Sequence, residues 1–423
     1  MLLTYKILSL ILYPILLLVF FIRILFKKEN WKSFKEKFLF DYKKNLPHNG
    51  KLIWFHAASI GEATSVFPII KNLIEKNDKF KILITTVTLS SSEIIKKEFE
   101  NQKEVIHQFL PLDTPLLVNK FLNNWKPNFV LFVDSEIWPN FIMEIKKKNI
   151  FLALINGRIT KKSFNRWLLV KKFGEEIFSS FNLCLASSKE SEKYLKNLNV
   201  KNVKYFGNLK FAPNLNFYKE DEDVTLNLSN KKVWCAANTH FEEEIFCFKT
   251  HLKIKEIFNN VLTIIIPRHV TRIESILKDS KRYGLEIEIF NNQKTIKPGT
   301  EIILVNTFGE LPKFFKICKS VFIGKSMVKS LELHGGQNPL EAVRAGCKVY
   351  HGPFVYNFQE VYEWLNTNNM SKEITNENSL STEIMKDFNN PNKDISENLN
   401  KINLYGKEIF NKTVGEIDKI IKL

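Results

Sequence analysis

Nine short apolar runs, each separated from the next by sequence with helical character, constrain this chain more than any other feature. Residues 51–55, 81–87, 128–133, 151–155 and 183–186 form one series. After a polar connector around 221–229, residues 232–237, 261–266, 301–305 and 320–323 form a second. Continuous apolar strands are buried on both faces, and strands joined through helices pair in parallel. The chain is therefore α/β, with two doubly wound parallel sheets in tandem, and a cleft between two such sheets is a usual place for a ligand. Its 423 residues are also too many for one core.

The N-terminus departs from this pattern. Residues 7–22 carry no charge, Arg23 precedes another apolar triplet, and Lys27, Lys28, Lys32, Lys35 and Lys37 follow. A cleaved signal peptide would carry its charge before the apolar run and end in small residues. This arrangement instead predicts a retained membrane helix with the body of the protein on the cytoplasmic side. The uncharged run is shorter than the ~20 residues of a span, so the sequence leaves open whether the helix crosses or lies in the interface. At the other end, the Asn-rich stretch 366–400 reads as polar and weakly structured. A last helix, 402–423, is placed to pack back across the cleft.

The formal net charge of +17 implies an anionic partner. The lysines are scattered along helices, arginines are few, and no nucleic-acid motif is present, so nucleic acid is not the expected partner. The five cysteines, Cys184, Cys235, Cys247, Cys318 and Cys347, lie in apolar contexts without a CxxC pair and read as buried, reduced thiols. The eight histidines show no metal-ligand spacing, and no protein-held metal is expected.

Chemistry concentrates where residues 54–73 turn from strand to helix. Ala57, Ala58, Ser59 and Gly61 are small enough for a substrate to approach the backbone, and Glu62 is the one titratable group in the turn. A first-turn glutamate ordinarily complements the helix dipole. Ala57-Ala-Ser-Ile-Gly61 also approximates a nucleophile elbow, which makes a Ser59 hydrolase an alternative. Gly324-Lys-Ser326 looks like the end of a phosphate-binding P-loop, but Lys319 stands where its first glycine belongs. Three segments of the second series set glycine or proline beside charged groups just past a strand: 266–269, 307–311 and 335–341. Together they suit a nucleotide, with backbone N–H groups on phosphate and a carboxylate on ribose. In the first series, Asp134 and Glu136 follow a strand, and Lys210 lies near the connector.

The motifs His56-Ala-Ala-Ser-Ile-Gly-Glu62, Pro111-Leu-Asp113, Ser135-Glu-Ile-Trp-Pro-Asn140, Asn156-Gly-Arg158, Gly207-Asn-Leu-Lys-Phe211, Asn238-Thr-His240, Gly309-Glu-Leu311, Gly335-Gly-Gln-Asn-Pro-Leu-Glu341, Gly352-Pro353 and Asn357-Phe358 occur in this order. In that set the chain resembles the 3-deoxy-D-manno-octulosonic acid (Kdo) transferases of lipid A synthesis. The resemblance covers nearly the whole chain. It implies a GT-B glycosyltransferase with two Rossmann-like domains whose parallel sheets face a cleft. The implied domains are a membrane anchor helix, 1–27; an acceptor domain, 28–212; a CMP-Kdo-binding domain, 213–400; and a C-terminal helix, 401–423, packing back on the N-terminal domain.

The activity so implied is inverting transfer of Kdo from CMP-Kdo to the primary hydroxyl of the tetra-acylated lipid A precursor, lipid IVA, at the inner membrane and without a metal. Glu62 matches the general base, and Asp134 and Lys210 match groups near the reacting centre. Ser59, Gly61, Glu136 and Arg158 fall on the acceptor side. Pro267, Arg268, His269, Gly309, Glu310, Leu311, Gly335, Gly336, Gln337, Asn338 and Glu341 match the donor-binding segments. Anionic phospholipid and the acceptor's phosphates would engage the basic charge. Three positions depart from the family pattern: Asp134 stands for a commoner glutamate, Lys325 for the middle glycine of Gly-Gly-Ser, and Gln337 for a frequent histidine. The remaining alternatives are a GT-B enzyme with another nucleotide-sugar donor and an inactive membrane-anchored binding protein.

Overall fold

Alternating apolar strands and helices fold into two units in the computed structural model, which describes residues 1–43, 50–76, 80–212, 228, 230–290, 295–307, 311–390 and 396–422. One unit comprises Met1–Leu215 with Leu404–Leu423, the other Asn216–Asn403.

The first unit carries β1 (Leu52–His56), β2 (Lys81–Thr86), β3 (Val105–Phe109), β4 (Phe129–Val133), β5 (Phe151–Gly157), β6 (Leu183–Ala186) and β7 (Val203–Tyr205). They form one parallel sheet in the order β3-β2-β1-β4-β5-β6-β7. Strand order reverses between β1 and β4, so the loops after these two strands diverge and leave a crevice, the usual ligand position of an open α/β sheet. Both strands are buried throughout, as their apolar runs require. Trp54 of β1 packs at 4.9–5.5 Å between ring centroids against Phe121, Phe132 and Phe141, which fixes the strand beneath the crevice.

The second unit repeats the plan with β8 (Lys232–Thr239), β9 (Val261–Pro267), β10 (Ile287–Phe290), β11 (Ile302–Val305), β12 (Ser320–Ile323), β13 (Lys348–His351) and β14 (Ser371–Glu373). Its parallel order is β10-β11-β9-β8-β12-β13-β14. The reversal here falls between β8 and β12. The polar stretch expected to be weakly structured instead holds β14 and the helix Glu377–Asn389, which buries Leu380, Ile384 and Phe388 on one face.

The N-terminal segment is two helices, Leu2–Ile11 and Tyr13–Leu25, bent by 51°. No single helix among the described residues is long and apolar enough to cross a membrane, although the bent pair passes that test together. This corrects the expectation of one anchor helix. The break falls at Leu12, just before Pro14 in the first turn of the second helix, where proline is tolerated because its missing N–H has no helical partner. Leu2, Tyr5 and Tyr13 pack against the core of the first unit, while Leu3, Ile7, Leu8, Ile11, Leu18 and Leu25 are exposed. Tyr5 donates its hydroxyl to Asp113 at 2.8 Å, and the backbone N–H groups of Asn140 and Phe141 donate to the same carboxylate. Burial pushes the Asp113 carboxyl up to about 6.

The C-terminal helix, Ser396–Ile421, lays residues 404–421 on the first unit. Gly406 permits this approach: a Cβ there would lie 1.9 Å from the Phe211 carbonyl oxygen. Ion pairs from Lys204 to Glu416 and from Lys76 to Asp418, each 2.6 Å, tie down the rest.

Candidate active site

At the reversal of the first sheet, β1 ends in buried His56, and the helix Ile60–Lys76 begins four residues later. Ser59 Oγ donates to Glu62 Oε1 at 2.8 Å, and the Ala58 N–H donates to Oε2 at 2.7 Å. The half-buried carboxylate is thereby held in one orientation over the turn. Burial raises its pKa above the usual carboxylate range, the charges of Glu136 and Asp134 add to the rise, and the bonds from Ser59 and Ala58 oppose it. A Cβ at Gly61 would meet nothing within 4 Å, so the turn faces open space.

The loop after β4 supplies the other charges. Asp134 sits in the left-handed region at φ +61°, fixed by its N–H on the Ile155 carbonyl and its carbonyl on the Arg158 N–H. Its carboxylate takes a hydrogen bond from Ser135 Oγ at 3.0 Å and pairs with Lys210 Nζ at 3.2 Å. Lys210 is positioned by the Asn208 side chain, which accepts its N–H, and by Asn156, whose Oδ1 accepts the Leu209 N–H. Glu62, Asp134, Lys210, Ser59, Gly61, Glu136 and Arg158 all lie on the turns at the C-terminal ends of β1, β4 and β5 or on the segment those turns hold.

Nothing in the sequence marks the network behind Glu136. Trp54 Nε1 can only donate and does so to Thr85 Oγ1 at 2.8 Å. The same Thr85 Oγ1 lies 2.9 Å from His56 Nδ1. His56 Nδ1 is also 3.1 Å from the Thr85 carbonyl oxygen, and His56 Nε2 lies 3.0 Å from Glu136 Oε2. Trp138 Nε1 donates to Glu136 Oε2 at 2.7 Å, so Trp138 also orients a carboxylate. The signal that finds His56 is its place at a strand end opposite a threonine, in the register His56↔Thr85.

In the second unit the loops after β8, β9 and β12 converge. Glu243 is buried and accepts four backbone N–H groups: His240 (2.9 Å) and Lys325 (2.6 Å) on Oε2, Ser326 (2.8 Å) and Met327 (3.0 Å) on Oε1. A carboxylate saturated this way acts as a pin for two loops. Burial still raises its pKa. Arg268 and His269 follow β9, which ends at Pro267, and the Arg268 N–H donates to the Thr239 carbonyl at 3.0 Å. The His240 and His269 rings meet edge to face, 5.6 Å apart. Gly335 and Gly336 are required sterically: a Cβ at Gly335 would lie 2.0 Å from the Phe354 carbonyl oxygen, and Gly336 has φ +90°. The Gln337 carbonyl accepts from Tyr362 at 3.0 Å, Asn338 caps Leu340, and Glu341 is in the first turn of the helix Leu340–Arg344. Leu311 opens the helix Leu311–Ile317. Gly309 and Glu310 lie outside the described residues.

The described residues hold no group of three or more His, Cys, Asp or Glu placed to bind a metal. The five cysteines are buried and free.

Two parallel α/β units of this kind are shared with solved structures of low identity, which speak to the fold alone. A putative UDP-N-acetylglucosamine 2-epimerase of Listeria monocytogenes superposes with a TM-score of 0.60 at 12% identity, over 88% of this chain and 98% of that one. The UDP-N-acetylglucosamine 2-epimerase of Rickettsia bellii gives 0.52 at 13% identity, over 88% and 98%. The sequence says more. Residues 32–213 match the family model of the 3-deoxy-D-manno-octulosonic-acid transferases. The 3-deoxy-D-manno-octulosonic acid transferase of Rickettsia typhi is 30% identical over 90% of each chain, and that of Rickettsia bellii 33% identical over 82% of each. The Haemophilus influenzae enzyme of the same name is 30% identical over 74% of this chain and 73% of its own. Identity at this level over most of the chain, with a family-model match whose span includes the turn that carries Glu62, places the chain in the family of 3-deoxy-D-manno-octulosonic acid transferases, which are glycosyltransferases.

Proposed function

We propose that this protein transfers Kdo from CMP-Kdo to the primary hydroxyl of lipid IVA in lipopolysaccharide core biosynthesis, with inversion, using Glu62 as general base. The observation that carries this is the Glu62 carboxylate: half-buried, raised in pKa, oriented by Ser59 and Ala58, and facing open space over Gly61. The hydroxyl oxygen forms a bond to the anomeric carbon of Kdo while the bond from that carbon to the phosphate oxygen breaks. The hydroxyl proton passes to Glu62, and the electron pair leaves with CMP. An alcohol is a far weaker acid than a carboxylic acid, so the proton moves as bond formation acidifies it, which is worth ~10²- to 10⁴-fold. A raised pKa suits Glu62 to this task. The Lys210 ammonium beside Asp134 supports charge near the acceptor hydroxyl.

In the second unit, the Gly335–Gly336 turn and Arg268 receive the departing phosphate, and Glu341 the ribose. This cationic site supplies the charge that a metal supplies in other nucleotide-sugar enzymes, and the proposed reaction is metal-independent. The bent N-terminal helix pair, apolar on its exposed side, holds the protein on the inner membrane with its catalytic units in the cytoplasm. The net charge of +17 favours that anionic surface and the phosphorylated acceptor.

The Ser59 hydrolase has no geometric support: Ser59 Oγ donates to Glu62, and His56 is engaged with Thr85 and Glu136. The deciding experiment is transfer from CMP-Kdo, generated in situ, to lipid IVA, read by product mass for the native protein and Glu62→Gln. Native transfer with a hundredfold or greater loss in the variant, CMP binding being retained, is the expected result. Equal transfer by both removes Glu62 from the mechanism. Native binding of UDP with no binding of CMP removes the donor.

A further inference from the structure

Lys325 lies just past β12, on one side of the strand-order reversal in the second sheet; His240 directly follows β8 on the other side. Their backbones converge on one atom, since the N–H groups of both donate to Glu243 Oε2. Arg268 joins them through its N–H on the Thr239 carbonyl. Two cations and an imidazole are thus gathered where an open α/β sheet receives its ligand.

The nearby carboxylates are committed elsewhere. Both oxygens of Glu243 are occupied by backbone N–H groups. Glu244 takes Arg272 through both oxygens, at 2.7 and 2.9 Å, and Thr239 besides. Among the described residues, neither Lys325 nor Arg268 has an ion-pair partner, and the two repel one another: burial first and then Arg268 hold the Lys325 ammonium below its usual pKa. His240 Nε2 is buried and has no hydrogen-bond partner among the described residues. Burial and the charges around it lower that imidazole to about 4, so it is neutral at pH 7. Unpaired cations beside an unsatisfied buried nitrogen are costly until an anion arrives.

The backbone at Lys325 adds a second cost. Its φ of +60° is in the left-handed region, where glycine is at ease and a lysine is strained. Its carbonyl accepts the Gly336 N–H at 2.7 Å, so the residue also supports the turn assigned to the nucleotide.

We propose that Lys325, together with Arg268 and the His240 imidazole, forms the seat for the phosphate of the nucleotide donor. This rests on the reading of the second unit as donor-binding, and it adds Lys325 and His240 to that site.

The test uses full-length Lys325→Gly, Lys325→Arg and native protein, with isothermal titration of CMP and of cytidine as the uncharged control. Glycine relieves the positive φ, so Lys325→Gly should melt no lower than native. Losing one charge-assisted contact of ~1.5 kcal/mol corresponds to about tenfold in Kd. The expected result is therefore a CMP Kd raised about tenfold in Lys325→Gly, cytidine binding unchanged, a weaker salt dependence, and recovery in Lys325→Arg. Equal loss for CMP and cytidine would make Lys325 a structural support and overturn the proposal. Unchanged CMP binding with a raised KM for CMP-Kdo would place Lys325 on the sugar carboxylate and overturn the phosphate assignment. If native protein binds UDP and not CMP, the donor reading fails by itself, and the same comparison made with UDP and uridine decides the phosphate seat.

Discussion

Ser59→Ala tests how Glu62 is tuned. The carboxylate must be ionised to act as base, so transfer falls as pH drops through its pKa, and anything that destabilises the anion moves that acid limb to higher pH. Ser59 Oγ, 2.8 Å from Oε1, stabilises the anion against burial and against Glu136 and Asp134. A hydrogen bond to a charged group is worth ~1.5–3 kcal/mol. Ser59 is exposed, so water replaces part of it, and ~1 kcal/mol is a fair remainder. At 1.36 kcal/mol per pH unit, the limb should rise by roughly half to one unit, with the alkaline plateau within a few fold of native. Glu136→Gln removes a neighbouring negative charge and should move the limb the other way. The assay is kcat/KM for the lipid acceptor from pH 4 to 9, which reports the free enzyme. An unmoved limb in Ser59→Ala with a collapsed plateau would mean that Ser59 acts on substrate and that the limb belongs to another group. Shifts of the same sign in both variants would refute the electrostatic reasoning altogether.

Other outcomes follow from the same geometry. Because the Glu62 pKa is raised in the fold, its ionisation costs stability above that pKa and the cost vanishes below the unfolded value. Glu62→Gln should therefore melt at or above the native temperature at pH 7–8 while losing transfer, and a lower melting temperature would argue that Glu62 is a structural cap. Lys210→Met strands Asp134 without its 3.2 Å partner and adds to the charge around Glu62. Transfer should drop tenfold or more with CMP affinity unchanged, as checked by kinetics and titration. Gly406→Ala drives a methyl to within 1.9 Å of the Phe211 carbonyl and should cost about 1–3 kcal/mol, seen as a melting temperature lower by several degrees. Leu8→Glu with Leu18→Glu charges the exposed side of the bent helices and should abolish flotation with anionic vesicles. Flotation equal to native would put membrane attachment elsewhere.

What the sequence reveals depends on how strongly burial writes itself into residue type. β1, β4 and β9 are buried along their length and stand out as apolar runs, so the two parallel sheets are legible. β7 and β14, three residues each and rich in lysine or glutamate, sit at sheet edges where one face meets water, and nothing periodic distinguishes them from loop. The break at Leu12 is equally silent, because a proline fits the first turn of a helix as well as it ends one. At the site, Glu62 is visible because its turn is local. The chain from Trp54 through Thr85 and His56 to Glu136 needs residues from three segments and the β1–β2 register, which no local pattern encodes. A further feature lies in the backbone itself. Asp134 (φ +61°), Asn156 (+53°), Asn238 (+56°) and Lys325 (+60°) all take the left-handed conformation at strand ends around the two strand-order reversals. Asparagine and aspartate tolerate that region, whereas a lysine is strained there. Neither sheet needs a charged residue there to close its hydrogen bonds, since glycine would serve. Strain of this kind persists where the side chain is needed more than the backbone is eased. Asp134 and Lys325 occupy counterpart positions in the two units, each just past the second strand of the strand-order reversal, the one pairing with Lys210 and the other assigned above to the proposed phosphate seat.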